Sequence, residues 1–175
     1  MSLQVQGKSG ELQEVDKFGS AQVDGLTPYA RAARRGDAWS ASAAPADIDT
    51  TDTILAVRND GQRIFYVHSI VAGSDAVGEI TIHRPSAAYT SAGSAVVETS
   101  LSDTLKTTDE LTCHGDESAN VQGEVITSYP VVASGSREIV YGGALFLKGG
   151  QAIAIDIVGE PTLCFATVHG WFEDA

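Results

Sequence analysis

The sequence predicts an all-β protein: a jelly-roll-like antiparallel β-sandwich with an extended N-terminal arm. About eight apolar stretches follow one another at intervals of roughly 8 to 15 residues, and turns rich in Gly, Ser and Asp join them. No window keeps the period of about 3.6 residues that an amphipathic helix needs. Several stretches are apolar on both faces, so we expect both faces of the sheets to be covered.

An immunoglobulin-like sandwich is the second candidate fold, but the Cys–Trp–Cys spacing of that fold is missing. The 175 residues suffice for one domain with an appendage. We therefore expect residues 1–37 to form the arm, with short strands and a short basic helix, and residues 38–175 to form the sandwich.

The composition and the net charge indicate which kinds of partner the protein is expected to bind. The chain is 43% hydrophobic and 19% charged, which is typical of a soluble globular protein. Its formal net charge of −12 repels phosphate backbones and anionic lipid, so we expect neither nucleic acid nor a membrane as a partner. The N-terminus lacks the apolar segment of a signal peptide, and no stretch has the length of a membrane helix.

The arm carries apolar residues without forming a continuous apolar face, because glycines interrupt its short alternating pieces. Such a segment can bury little surface by itself, so we expect it to lie on a neighbouring chain. The apolar residues expected to make this partner contact are Val5, Leu12, Val15, Phe18 and Val23.

A short helix is predicted at the end of the arm. Pro28 suits the first helical position, and Thr27 suits the cap before it. Arg31, Arg34 and Arg35 would then lie along one side of the helix, in a chain with few positive charges. Two interpretations remain open: a solvated helix end, or a basic contact for an acidic partner such as a neighbouring copy.

Two tight hairpins are predicted where turn residues separate apolar stretches. In residues 55–70 the turn is Asn-Asp-Gly-Gln, whose residues tolerate the positive φ of primed hairpin turns. In residues 137–159 the turn is Lys-Gly-Gly-Gln. Each hairpin is expected to form part of a sandwich wall.

Alternation in the last apolar stretch places Phe165, His169 and Trp171 on one face of a strand and Cys164 on the other. Cys164 is therefore expected to be a buried thiol. Cys113 lies in a polar stretch that we interpret as a loop, and the following His-Gly-Asp-Glu-Ser is interpreted as a loop tip. Nothing else indicates an oxidising compartment, so a disulfide between the two cysteines is not favoured.

The sequence offers little that is typical of a reactive or metal-binding site. None of the four histidines is spaced from another as metal ligands are. Asp47, Asp49 and Asp52 form a weak candidate calcium site, but the Gly and the terminal Glu of an EF-hand loop are missing, and a polar loop is the alternative. There is no nucleophile elbow, P-loop or dinucleotide fingerprint. We therefore expect no cofactor and no enzymatic activity.

Carbohydrate-binding modules need exposed aromatic side chains. Trp39, Tyr66, Tyr89 and Trp171 are the candidates, but packing in the core is the favoured interpretation for most of them. A carbohydrate-binding module stays as an alternative function, followed by a hydrolase on the same scaffold.

Four segments share a pattern with a known family. They read EVDKFGSAQV (residues 14–23), GDAW (36–39), TILAVRNDGQRIFYVHSI (53–70) and LKGGQAIAIDI (147–157). Together they resemble small virion structural proteins of tailed bacteriophages, which pair an N-terminal arm with a β-sandwich.

The resemblance implies a role in the phage particle, as a capsid decoration or cement protein or as a neck, tail or fibre component. It also implies a homo-oligomer, commonly a trimer, that is assembled into the virion in the host cytoplasm. The partner would be the major capsid protein or another virion protein. No catalytic residues carry over to this chain, and the arm would add a strand to a neighbour through its backbone hydrogen bonds.

Overall fold

The computed structural model of the chain describes residues 4–6, 12–14, 26–45, 48, 52–86, 93–102, 108–117, 122–159 and 161–173. These residues contain thirteen strands and one helix. Their bounds are β1 Gln4–Gln6, β2 Leu12–Glu14, α1 Pro28–Arg35, β3 Ala38–Ala43, β4 Thr53–Asn59, β5 Ile64–Ser74, β6 Gly78–Arg84, β7 Ser94–Val96, β8 Thr99–Ser100, β9 Leu111–Glu117, β10 Glu124–Val131, β11 Gly135–Leu147, β12 Ala152–Val158 and β13 Cys164–Glu173. No helix within the described ranges is long and apolar enough to cross a membrane.

The predicted all-β sandwich is confirmed. Six strands form one sheet in the order β10-β6-β12-β4-β9-β7, and five form the other in the order β11-β5-β13-β3-β8. Neighbouring strands are antiparallel in both sheets. In the N-terminal segment, β1 and β2 pair antiparallel with each other.

The pairing pattern is that of a jelly roll. Strand β3 pairs with β13, β4 with β12, β5 with β11 and β6 with β10, so the first half of the sandwich pairs with the second half in reverse order. Successive pairs alternate between the two sheets. A four-pair antiparallel ribbon wound in this way is the eight-stranded jelly roll. Strands β7, β8 and β9 lie between β6 and β10 in sequence and extend the two sheets.

Both predicted hairpins are wrong. Strands β4 and β5 lie in different sheets, and so do β11 and β12. The Asn-Asp-Gly-Gln and Lys-Gly-Gly-Gln turns are therefore arches that carry the chain from one sheet to the other. The buried apolar residues of each strand belong to the core between the sheets, and crossing that space gives both strands a place in the core.

The core fills the space between the two sheets. Trp39, Phe65 and Phe172 are its largest fully buried side chains. Each side chain of this kind contributes about 1.5 to 3 kcal/mol through the removal of apolar surface from water. Cys164 packs in this core, as predicted, whereas Phe165 points outward and is partly exposed.

The interpretation of Cys113 and its neighbours as a loop is wrong. Residues 111–117 form strand β9, and its burial alternates along the strand. Cys113 is buried and belongs to the core, because it shares the inward face with Leu111 and Gly115. Burial raises the pKa of the Cys113 thiol far above its ordinary value. Both cysteines are free thiols.

Candidate functional site

Helix α1 begins at Pro28, as its sequence predicts. The Thr27 hydroxyl accepts a hydrogen bond from the amide of Ala30 at 3.2 Å, and Pro28 occupies the first turn. Gly36 ends the helix with a φ of 77°, a left-handed conformation that favours glycine. The amide of Asp37 then donates to the carbonyl of Ala32 at 2.9 Å, which fixes the chain as it leaves the helix.

The helix packs on the outer face of the five-stranded sheet. Ala32 is fully buried and packs with Ala38 of β3 and Trp171 of β13. The ring of Tyr29 stacks on His68 of β5, with centroids 4.1 Å apart and planes inclined by 9°. The helix is thus held by aromatic contacts at one place and by small side chains at another, which fixes the backbone positions of its arginines.

A cleft of about 480 Å³ opens beside the helix. Its lining residues are Pro28, Arg31, Arg35, Asp37, Arg63, Phe172 and Glu173. Two of the three predicted contact arginines therefore lie in one cleft, because Arg31 and Arg35 are one helical turn apart. Arg34 is exposed on the same helix but does not line the cleft.

Arg63 is the fixed positive charge of the cleft. Its Nε donates to Glu110 Oε1 at 2.9 Å, and its Nη1 donates to Asp37 Oδ1 at 3.1 Å. A further hydrogen bond joins its Nη2 to Glu110. The guanidinium carbon lies 4.6 Å from the centre of the Phe172 ring. The hydrogen bonds to Glu110 raise the pKa of Arg63, with a smaller contribution from Asp37 and an opposing effect of burial.

Asp37 connects the helix to this fixed charge. Its Oδ2 lies 3.7 Å from Nε of Arg35, and its Oδ1 accepts from Arg63. The carboxylate can sit between two guanidinium groups because Gly36 turns the chain immediately before it. The glycine that ends the helix therefore also places the carboxylate that contacts both arginines.

The cleft holds charges of both signs: three arginines line it together with Asp37 and Glu173, and Arg63 is also paired with Glu110. Guanidinium groups bind carboxylates through two parallel hydrogen bonds. The Arg31 side chain is exposed, and among the described residues it forms no ion pair. Glu173 on the opposite wall accepts a hydrogen bond from the Trp171 indole at 3.0 Å, so this acid is already engaged.

A second polar cluster resembles a catalytic set but cannot act as one. His83 Nε2 lies 2.6 Å from Asp156 Oδ2, and Thr53 donates to Asp156 Oδ1 at 2.7 Å. The amide of Gly123 donates to His83 Nδ1 at 3.2 Å, so Nε2 carries the ring proton and donates to the aspartate. His83 is fully buried, and both of its nitrogens are occupied. The cluster therefore ties β4, β6 and β12 together and has no free base for a nucleophile.

The other predicted site residues are only partly described. Val5 and Leu12 lie in the paired strands β1 and β2. Val15, Phe18, Val23, Asp47 and Asp49 lie outside the described residues. Asp52 is described and partly buried. Within the described ranges, no group of three or more His, Cys, Asp or Glu side chains could hold a metal ion.

The aromatic candidates pack mostly in the protein. Trp39 is fully buried in the core, and Trp171 is buried beneath helix α1. Tyr66 is partly buried and stacks on Trp171 with ring centres 5.4 Å apart. Tyr89 lies outside the described residues. The three described positions, Trp39, Tyr66 and Trp171, do not form an exposed row of the kind that binds a sugar chain.

Sequence reasoning missed Arg63, Asp37 and Glu110 as parts of the cleft. Arg63 is 26 residues from Asp37 and 47 residues from Glu110, and no sequence pattern joins the three. One sequence signal could have indicated Asp37 as part of the cleft: it follows directly after the glycine that ends the helix. That position brings a carboxylate to the basic end of the helix.

Comparison with known proteins adds little to this account. No protein-family model matches the sequence, and no curated protein matches it. One similar solved structure is a glycoside hydrolase family 43 arabinoxylan arabinofuranohydrolase from Bacillus subtilis in complex with cellotetraose, with a TM-score of 0.26, 16% identity, and coverage of 98% of this chain and 33% of that chain. Another is an unassembled KI polyomavirus VP1 pentamer, with a TM-score of 0.16, 9% identity, and coverage of 99% and 91%. This chain spans about a third of the hydrolase, and both scores are too low to support an argument.

The class of protein defined by the strand pairing is therefore an all-β jelly-roll sandwich. A short basic helix packs on its five-stranded sheet, beside a cleft of arginines.

Proposed function

We propose that the protein is a non-enzymatic structural component of a tailed-bacteriophage virion and that it decorates and cements the capsid as a homo-oligomer. The proposal rests on the resemblance of its four sequence segments to that family and on the kind of surface it carries. The single observation that supports it most is the cleft on the outside of the jelly roll, in which ion pairs with Asp37 and Glu110 hold Arg63 in place.

Exposed apolar side chains add a second reason to expect contacts with other chains. Strands β10 and β11 are the outermost strands of their sheets, and they follow each other in sequence. Val125, Val132, Val140 and Phe146, on these strands or in the turn between them, expose between 37% and 71% of their surface. Apolar side chains at a sheet edge favour strand addition by another chain. An arm from a neighbouring subunit has the chemistry to cover such an edge.

A cement protein stabilises a shell because it binds the assembled lattice better than the free capsid subunits. The proposal therefore predicts that particles lacking this chain release their DNA at a lower temperature than complete particles. The test compares the phage with and without the gene by heating purified particles and measuring DNA release. Restoration by the purified chain supports the role in the capsid, and unchanged DNA release in particles that lack the chain contradicts it.

A role in the tail, neck or fibre would give a different result in the same experiment. Immunogold labelling of complete particles would then mark the tail or the neck, and DNA release on heating would not depend on the chain. That outcome would overturn the capsid assignment while leaving a structural role in the virion.

A further inference from the structure

We infer that a pocket at one end of the five-stranded sheet, where β11 and β13 begin, binds a small organic cation that carries an ammonium group on an apolar body. The pocket has a volume of about 330 Å³ and shares no lining residue with the cleft beside helix α1. This volume is in the range of about 300 to 1,000 Å³ that is usual for pockets that bind small molecules. The inference goes beyond the proposed function and does not rest on it.

The first step of the argument is that paired strand ends build the floor of the pocket. Ser74, which ends β5, is paired with Gly135 of β11 on one side and with Cys164 of β13 on the other. All three residues line the pocket, and Ser74 and Cys164 are buried. Because the strand pairing holds the floor in place before anything binds, a ligand loses little affinity to ordering the protein.

The second step is that the walls of the pocket are apolar and open to solvent. Leu163 and Phe165 line the pocket and expose 63% and 36% of their surface. A Cβ on Gly73 would lie 2.7 Å from the Phe165 ring, so this ring lies against a strand at a position where only glycine leaves it room. Exposed apolar walls around a fixed floor favour an apolar ligand body, because binding removes both from water.

The third step is the sign of the charge in the pocket. Among the described residues that line it, Asp75 alone is charged, and within the described ranges Asp75 forms no ion pair. The Thr162 hydroxyl donates a hydrogen bond to the Asp75 carboxylate. This bond and those from the backbone hold the pKa of Asp75 below its usual range, so the carboxylate is ionised at neutral pH. The pocket therefore has a net negative charge.

Cys164 indicates that this negative charge acts at the floor of the pocket. Burial, together with the charges of Asp75 and Asp116, raises the pKa of the Cys164 thiol to about 11. The thiol is therefore neutral at neutral pH and adds apolar surface rather than a nucleophile. A potential that disfavours a thiolate favours a cation, so an organic ammonium ion matches both the walls and the charge.

Three probes of similar shape and different charge test the inference. They are phenethylammonium, the neutral phenethyl alcohol and the anion hydrocinnamate. Each is titrated into the isotope-labelled full-length chain at about pH 7 in low salt, and the backbone amide signals of Gly135, Leu163 and Phe165 are followed by NMR. We expect the dissociation constant of phenethylammonium to be about fivefold or more below that of the alcohol, and hydrocinnamate to bind most weakly.

Three variants make the test specific. Asp75→Asn removes the charge and keeps an oxygen for the Thr162 hydroxyl, so it should reduce the affinity for phenethylammonium to about that for the alcohol. Asp109→Asn makes the same change of charge at an exposed position outside the pocket and should leave all affinities unchanged. Ser136→Phe places a ring at an exposed lining position and should weaken the binding of every probe. Urea unfolding confirms that each variant is folded.

Several results would overturn the inference. They are equal affinities for phenethylammonium and phenethyl alcohol, an affinity for phenethylammonium that Asp75→Asn leaves unchanged, and signal changes that are absent or confined to residues away from the pocket. The role in the virion is tested separately by the protein content of purified particles, so either idea can fail alone.

Discussion

The side-chain amide of Asn59 donates a hydrogen bond to the backbone carbonyl of Leu147 at 2.8 Å, and this bond ties the two arches of the sandwich together. Asn59 ends strand β4 and Leu147 ends strand β11, which lie in opposite sheets. The same amide also donates to the carbonyl of Arg63 at 2.8 Å. One fully buried side chain thus replaces strand-ladder bonds where the chain leaves the sheets.

Replacing Asn59 with Ala should destabilise the protein by about 2 to 4 kcal/mol, because it leaves the Leu147 and Arg63 carbonyls without the amide that satisfies them. Urea unfolding measures the change. Gln62→Ala, at an exposed position in the same arch, is the control and should change stability by about 0.5 kcal/mol or less. Equal effects of the two substitutions would contradict the role given to Asn59.

Gly142 and Gly143 form a matched pair in strand β11. Both have positive φ, 58° and 93°, so alanine is strained at either position. A Cβ on Gly143 would also lie 2.7 Å from the Trp171 ring, whereas a Cβ on Gly142 meets nothing within 4 Å. We expect Gly142→Ala to cost about 1 kcal/mol and Gly143→Ala about 2 to 4 kcal/mol, together with a change in tryptophan fluorescence. A larger cost for Gly142→Ala would contradict this packing.

Stability should fall as the pH drops below the ordinary pKa of histidine, 6.5. Burial lowers the pKa of His169, and nearby His68 lowers it further, although Glu138 opposes them. Above the ordinary pKa, His169 is neutral in both the folded and unfolded states. As the pH falls through that value, the unfolded chain takes up the proton first, which favours unfolding.

His169→Gln tests this pH dependence. Between about pH 7.5 and about pH 5.5, the melting temperature of the wild type should fall further than that of the variant. Asp60 and Asp75, whose pKa values lie below their usual range, stay ionised across this interval and contribute equally to both proteins. Parallel pH profiles of the two proteins would show that His169 is not the group responsible.

Arg63→Lys should destabilise the protein, because a lysine ammonium lacks the separate nitrogens by which Arg63 reaches Glu110 and Asp37 and has no planar face for Phe172. We expect a loss of about 1 kcal/mol in low salt. Arg58→Lys is the matched control, because Arg58 is also paired with a carboxylate, that of Asp60 at 2.6 Å, and does not line the cleft. Urea unfolding of both variants should show a smaller loss for Arg58→Lys, and the reverse order would contradict the arrangement described.

The fold class and the short helix could be predicted from the sequence because both depend on local rules. The alternation of side chains along β13 indicates which of them face the core. Thr27 and Pro28 indicate where the helix begins. The partner of each strand could not be predicted in the same way. The turn residues after Asn59 suit an arch as well as a hairpin, and the choice depends on where the apolar faces meet in the finished sandwich.

The candidate site was predictable only in part, for the same reason. Arg31 and Arg35 were identified from their spacing on one helix. Arg63 and Glu110 reach the cleft through the pairing of distant strands, which no local pattern contains. The prediction of a loop at Cys113 is wrong because its polar neighbours obscure the alternating burial of strand β9.

The protein content of purified phage particles tests the central claim most directly. Under the proposed function, a tailed phage encodes this chain. Purified particles of that phage are washed, and the copy number of the chain relative to the major capsid protein is measured by quantitative mass spectrometry. The account predicts a fixed ratio that is the same in independent preparations. Absence of the chain from particles that contain all their other structural proteins would contradict it.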